Sequence, residues 1–157
     1  MAVHGRPTPH ADPGGGRPRY RERDPDELVH PDLNPFLRDH RNFGRPLIPA
    51  DEAWRLRERW AEEFGRSAPL HLEIGSGNGF FLSGLAAQHP EWDLVGVELR
   101  YKRTVLCARK IRHRAVSNAR IVRYHAAFLD DLFEPGSLSG IYVNHPDPWP
   151  KERHDKH

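Results

Sequence analysis

The stretch Leu70-His71-Leu72-Glu73-Ile74-Gly75-Ser76-Gly77-Asn78-Gly79 constrains this chain more than any other part of it. Apolar residues alternate into an acid and then into glycines spaced by two. Phe80, Phe81, Leu82, Leu85 and Ala86 follow at helical intervals, so the pattern predicts strand, tight turn and helix. Glycines allow a positive φ and let a ligand approach with no Cβ in the way, at an entropic cost that a plain connector would not carry. Either a ligand sits on this turn or the glycines serve the turn alone.

Spacing narrows the choice of ligand. A dinucleotide fingerprint places its third glycine three residues after the second, whereas here Gly79 comes early and is followed by Phe80. No Gly-Lys-Ser/Thr follows at the distance a Walker phosphate loop needs. The Glu-x-Gly-x-Gly-x-Gly form resembles the first motif of Rossmann-like S-adenosylmethionine methyltransferases. A carboxylate at Glu73 suits that cofactor, whose methionyl ammonium and sulfonium are both cationic.

The 157 residues leave room for one domain of ordinary size. An apolar content of 37% and a mean hydropathy of −0.78 speak against a membrane protein, and no run has the length of a transmembrane span or a signal core. The lone Cys107 excludes an internal disulfide and fits a reducing, cytoplasmic setting. The histidines are scattered with no cysteine cluster beside them, so no metal site is expected. Residues 1–46 are rich in Pro, Gly, Arg and Asp with little apolar periodicity and are expected to form a mobile, disordered arm, either solvated or touching nucleic acid. Local packing by Leu33, Phe36, Leu37 and Phe43 would order its last part. The folded domain is expected over 47–157.

Pro49-Ala50-Asp51-Glu52 opens a helix with acids in its first turn; Ala53, Leu56, Trp60 and Phe64 share a face, and Gly65 is a C-terminal stop. Beyond the glycine turn, Pro90 ends the next helix and Trp92 to Glu98 reads as a second strand finishing in an acid. Strand, helix and strand of this length make a parallel right-handed unit that gathers ligands at the strand carboxyl ends. Glu98 then arrives beside the turn about 20 residues on, where an acid accepts ribose hydroxyls, unless it merely starts the next helix. From Arg100 to Arg123 the chain carries cations and no acid, with Tyr101, Val105, Ala108 and Ile111 available to face the sheet. That face is either solvated or a phosphate-contacting surface. A third strand is expected over Ala119 to Tyr124, a short helical turn over Phe128 to Phe133 and a fourth strand near Gly140 to Val143.

The fourth strand runs into Asn144-His145-Pro146-Asp147-Pro148-Trp149-Pro150-Lys151-Glu152-Arg153-His154, whose prolines require a stiff loop at the strand's carboxyl end. This run, following Glu-Ile-Gly-Ser-Gly and Gly-Val-Glu, resembles the tRNA (guanine-N7-)-methyltransferase family from about Leu70 onward. The resemblance implies an α/β Rossmann-like methyltransferase fold with parallel strand order 3-2-1-4, and S-adenosylmethionine as cofactor. It implies methyl transfer to N7 of a guanine in tRNA. Glu73, Gly75, Gly77, Glu98, His125 and Asp147 would contact the cofactor, with Asp147 at the methyl-transfer centre, and Lys151 and Arg153 would hold the substrate. Trp149 would stack on the base or brace the loop.

Two positions depart from the family pattern. His125 stands where an Asp would meet the adenine amine, and a neutral imidazole could accept that bond whereas an imidazolium could only donate. His145 replaces a Phe. The family also continues through further strands and helices, which implies an incomplete domain here whose fourth strand is a bare edge open to self-association. A truncated remnant that binds cofactor or RNA without catalysis is the alternative. Asn144-His145-Pro146-Asp147 also has a loose likeness to the motif of exocyclic-amine methyltransferases, but Trp149 and the basic run argue against it.

Overall fold

The computed structural model describes residues 18–20 and 34–144. Asn34 caps a helix, α1 (Pro35–Asn42), by accepting from the Phe36 amide at 3.0 Å, with proline pre-set at the first helical position. The chain continues through β1 (Leu47–Ile48), α2 (Ala50–Ala53), a 3-10 turn (Trp54–Leu56) and α3 (Trp60–Phe64). Then come β2 (Leu70–Ile74), α4 (Phe80–Gln88), β3 (Asp93–Glu98), α5 (Tyr101–His113) and β4 (Ala119–Arg123). A 3-10 segment (Ala126–Asp131) leads to β5 (Gly140–Val143).

All strand pairs are parallel, in the order β1-β4-β3-β2-β5. The expected order 3-2-1-4 is the run β4-β3-β2-β5, and β1 adds an outer strand beside β4. Two apolar layers cover the sheet, as a parallel sheet requires. On one face Trp60, Leu72, Val95, Val97, Val122, Tyr124 and Leu132 pack together, and on the other Leu82, Leu94, Val105, Cys107, Ala108, Ile111 and Ile121.

Two expectations are corrected and a third holds as stated. The last part of the arm expected over 1–46 packs locally on the body, as the apolar residues near its end implied: α1 buries Leu37 and lies along α5, where Arg109 pairs with Asp39 at 2.8 Å and Arg112 donates to the Phe43 and Arg45 carbonyls. Tyr20 is buried as well, its ring 4.7 Å from Tyr124 and its amide donating to Asp131. The rest of that arm lies outside the described residues. The single helix expected from Pro49 to Gly65 is broken, because Arg59 leaves helical geometry (φ −128°, ψ 21°). The break aims Trp60 inward, where its indole donates to the Leu132 carbonyl at 2.8 Å and stacks on Phe133. Finally, the cations of α5 do not form one solvated face, since α1 covers part of it.

Candidate cofactor site at the strand tips

The glycine turn forms because β2 ends where the chain must reverse into α4 against β3. Gly75 and Ser76 donate to the Val97 carbonyl at 2.8 and 3.2 Å, stitching the turn to the tip of β3. Gly75 has φ +77°, and a Cβ there would meet the Asn144 carbonyl oxygen at 2.7 Å. Gly79 caps α4 at φ +83°, where a Cβ would lie 2.7 Å from Cys107 Sγ and 2.9 Å from its Cα. A side chain fits at neither position.

Two expected carboxylates meet at this turn. Glu98 accepts from the Gly77 amide through Oε2 at 3.0 Å, and from the Leu99 and Arg100 amides through Oε1 at 3.0 and 3.1 Å. A carboxylate has about four acceptor sites, so Glu98 keeps room for one more donor and takes a second only by releasing one of these amides. Glu73 is buried at the end of β2. Its Oε1 accepts from Asn144 Nδ2 at 2.7 Å, while its Oε2 is buried with no hydrogen-bond partner. Burial pushes the Glu73 carboxyl above its ordinary value, the Asn144 amide and then the nearby Ser76 hydroxyl pull it back, and the charge on Glu98 adds to the rise.

An unsatisfied buried carboxylate oxygen is costly unless a donor reaches it, and a cation is the donor that best restores it. The turn therefore fits a ligand with a cationic end near Glu73 and a hydroxyl donor near Glu98. That chemistry matches the methionyl ammonium and ribose of S-adenosylmethionine.

His125 sits just past β4 and caps the following 3-10 segment: its Nδ1 accepts from the Ala127 amide at 3.1 Å. A neutral ring accepting there carries its proton on Nε2. In this arrangement His125 presents a donor, suited to a ring nitrogen of adenine rather than to its amine. Asp147, Lys151 and Arg153, with His145 and Trp149, lie outside the described residues. Asn144 was not expected in this site from its spacing, because its place depends on β5 landing beside β2.

Comparison with known proteins identifies the family. A family model described as "Putative methyltransferase" matches residues 67–157. A tRNA (guanine-N(7)-)-methyltransferase of Bacillus velezensis is 35% identical over 126 residues, covering 80% of this chain and 56% of the relative. The protein of that name in Listeria welshimeri is 44% identical over 111 residues, covering 71% and 52%. Its counterpart in Bacillus subtilis is 38% identical over 108 residues, covering 69% and 49%. The chain thus spans about half the length of the curated relatives it matches. The matched region takes in Glu73, the glycine turn and Glu98, and the chain belongs to the tRNA (guanine-N7-)-methyltransferase family.

Proposed function

We propose that this chain binds S-adenosylmethionine and carries the cofactor side of methyl transfer to N7 of a guanine in tRNA, in the cytoplasm. The observation that carries the reading is Glu73, a buried carboxylate with one oxygen held by Asn144 and the other without a donor. Glu73 would take the methionyl ammonium, Glu98 a ribose hydroxyl, and Gly75 and Gly77 would let the cofactor approach the turn. His125 would meet the adenine edge as a donor. When bound, S-adenosylmethionine supplies an activated methyl on a cationic sulfur.

Guanine N7 already exposes a lone pair, so no base is needed to create the nucleophile. The protein's part is alignment for in-line attack and a field that favours it. In this reading Asp147 holds the guanine edge and offsets the positive charge that grows on the base, while Lys151 and Arg153 hold a phosphate or the base carbonyl. Family membership, the donor set at the turn and the proline-rich run after β5 support these roles.

Calorimetric titration of S-adenosylmethionine into the full chain tests the cofactor assignment. Binding is expected, and Glu73→Gln should weaken it at least about tenfold, the worth of one charge-assisted hydrogen bond. Equal affinity of the two proteins would remove Glu73 from the site. Transfer of a labelled methyl to a tRNA transcript tests the reaction, and Asp147→Ala should abolish transfer while sparing most cofactor binding. Unchanged turnover by that variant would exclude the role given to Asp147.

A further inference from the structure

Glu73 does not hold its own orientation. Three groups of Asn144 close on the tip of β2 from a residue 71 positions away. Its amide N–H donates to the Ile74 carbonyl at 3.2 Å, extending the β2–β5 ladder by one bond. Its carbonyl oxygen occupies the space that a Cβ on Gly75 would need. Its side-chain Nδ2 donates to Glu73 Oε1 at 2.7 Å and leaves Oε2 unpartnered.

We infer that Asn144 is a positioning residue for the cofactor carboxylate: it fixes Glu73 Oε1 with an uncharged donor so that Oε2 keeps both its place and its charge for a cationic ligand. The inference rests on the cofactor reading above and adds to it the residue that sets the geometry.

The choice of an amide matters. An arginine or lysine at 144 would hold Glu73 equally well, but it would neutralise the carboxylate and compete with an ammonium ligand. An amide orients without neutralising. It is also the larger of two side-chain donors, ahead of the Ser76 hydroxyl, that oppose the burial-driven rise in the Glu73 carboxyl, keeping the group ionised more readily than burial alone would allow. The titratable groups facing Glu73 are Glu98 at the tip of β3, Tyr142 paired with it in β5 and the Cys107 thiol on α5, while α4 brings none.

The test is the titration of Glu73 itself, read by NMR on the full chain labelled with 13C at glutamate carboxyls, the signal being assigned by its loss in Glu73→Gln. Asn144→Leu removes the donor while keeping the same branching and number of heavy atoms, and should raise the Glu73 midpoint by about one pH unit. Asn144→Asp, close in shape to the native residue, puts a like charge in place of the donor and should raise it further. S-adenosylmethionine should bind Asn144→Leu more weakly than wild type, with the acid limb of its affinity profile displaced upward by the same unit, which is about tenfold in affinity at any pH below both midpoints. An unmoved midpoint in a folded Asn144→Leu or Asn144→Asp protein overturns the inference. A moved midpoint in a chain whose wild type binds no S-adenosylmethionine at any pH upholds the positioning role and overturns the cofactor reading instead.

Discussion

Glu98 accepts a hydrogen bond from the Gly77 amide at 3.0 Å, so the last side chain of β3 is tied to the middle of the glycine turn. The same carboxylate gathers the Leu99 and Arg100 amides as α5 begins. Glu98→Ala leaves three backbone donors without this charged acceptor. We expect a loss of about 2 kcal/mol in urea unfolding, together with weaker S-adenosylmethionine binding by calorimetry. Unchanged stability would mean that water replaces the carboxylate at no cost.

Gly79→Ala should be among the most damaging single-methyl additions in this chain. Moving the Cys107 side chain does not relieve it, because the Cys107 Cα itself lies 2.9 Å from the new carbon and the backbone stands at φ +83°. Overpacking of this kind costs about 1–3 kcal/mol, to which the left-handed backbone adds. Chemical denaturation of the variant measures the loss, and Cys107→Ala in the same chain should recover only part of it.

His40 predicts a loss of stability in acid. It is buried between α1 and α5, edge-on to Tyr101 at 5.1 Å. Burial first, then the guanidiniums of Arg123 and Arg41, lowers its pKa to about 4. With the folded value below the unfolded one, its contribution is whole above about pH 6.5 and is lost as pH falls toward 4. Urea unfolding at pH 7 and pH 5 should differ by about 2 kcal/mol from this group. His71 acts in the same direction, its buried ring also being lowered by burial and by His89. His40→Gln should flatten the dependence; an equally steep profile in that variant would assign the effect elsewhere.

The outer side of β5 gives a prediction about assembly. β5 pairs only with β2 among the described residues, and Ile141 and Val143 are 56% and 51% exposed on one of its faces. Such an edge invites pairing. The 157-residue chain is expected to self-associate in sedimentation velocity, and Ile141→Lys with Val143→Lys should shift it toward monomer. A wild-type monomer across the micromolar range would contradict this.

The parts of the fold that the sequence displayed are those carried by periodicity. β2, β3, β4 and β5 lie within a residue of expectation because alternation, glycine and terminal acids bound them. β1 escaped because Leu47–Ile48 is too short to show a period. α1 begins on Asn34-Pro35, a recognisable cap and first position, but the polar composition around it hid the signal. The break before Trp60 is a tertiary effect, set by Leu132 and Phe133 far along the chain. In the site, Glu73 and Glu98 were legible because each sits at a strand end at motif spacing. Asn144 was not, since only sheet order brings it to Glu73. The tautomer implied for His125 follows from a bond to Ala127 that spacing does not reveal.

The docking of α1 on α5 has a further result for any encounter with a polyanion. Of the cations between Arg100 and Arg123, Arg109 is committed to Asp39, Arg112 to two carbonyls and the Phe43 ring, and Arg120 to Glu63. Counterion release counts only charges that phosphates can newly neutralise, each contributing about 0.9 to the logarithmic salt slope on a duplex. The ionic-strength dependence of RNA association should therefore be shallower than a tally of lysines and arginines suggests, and it should steepen when Asp39→Asn frees Arg109.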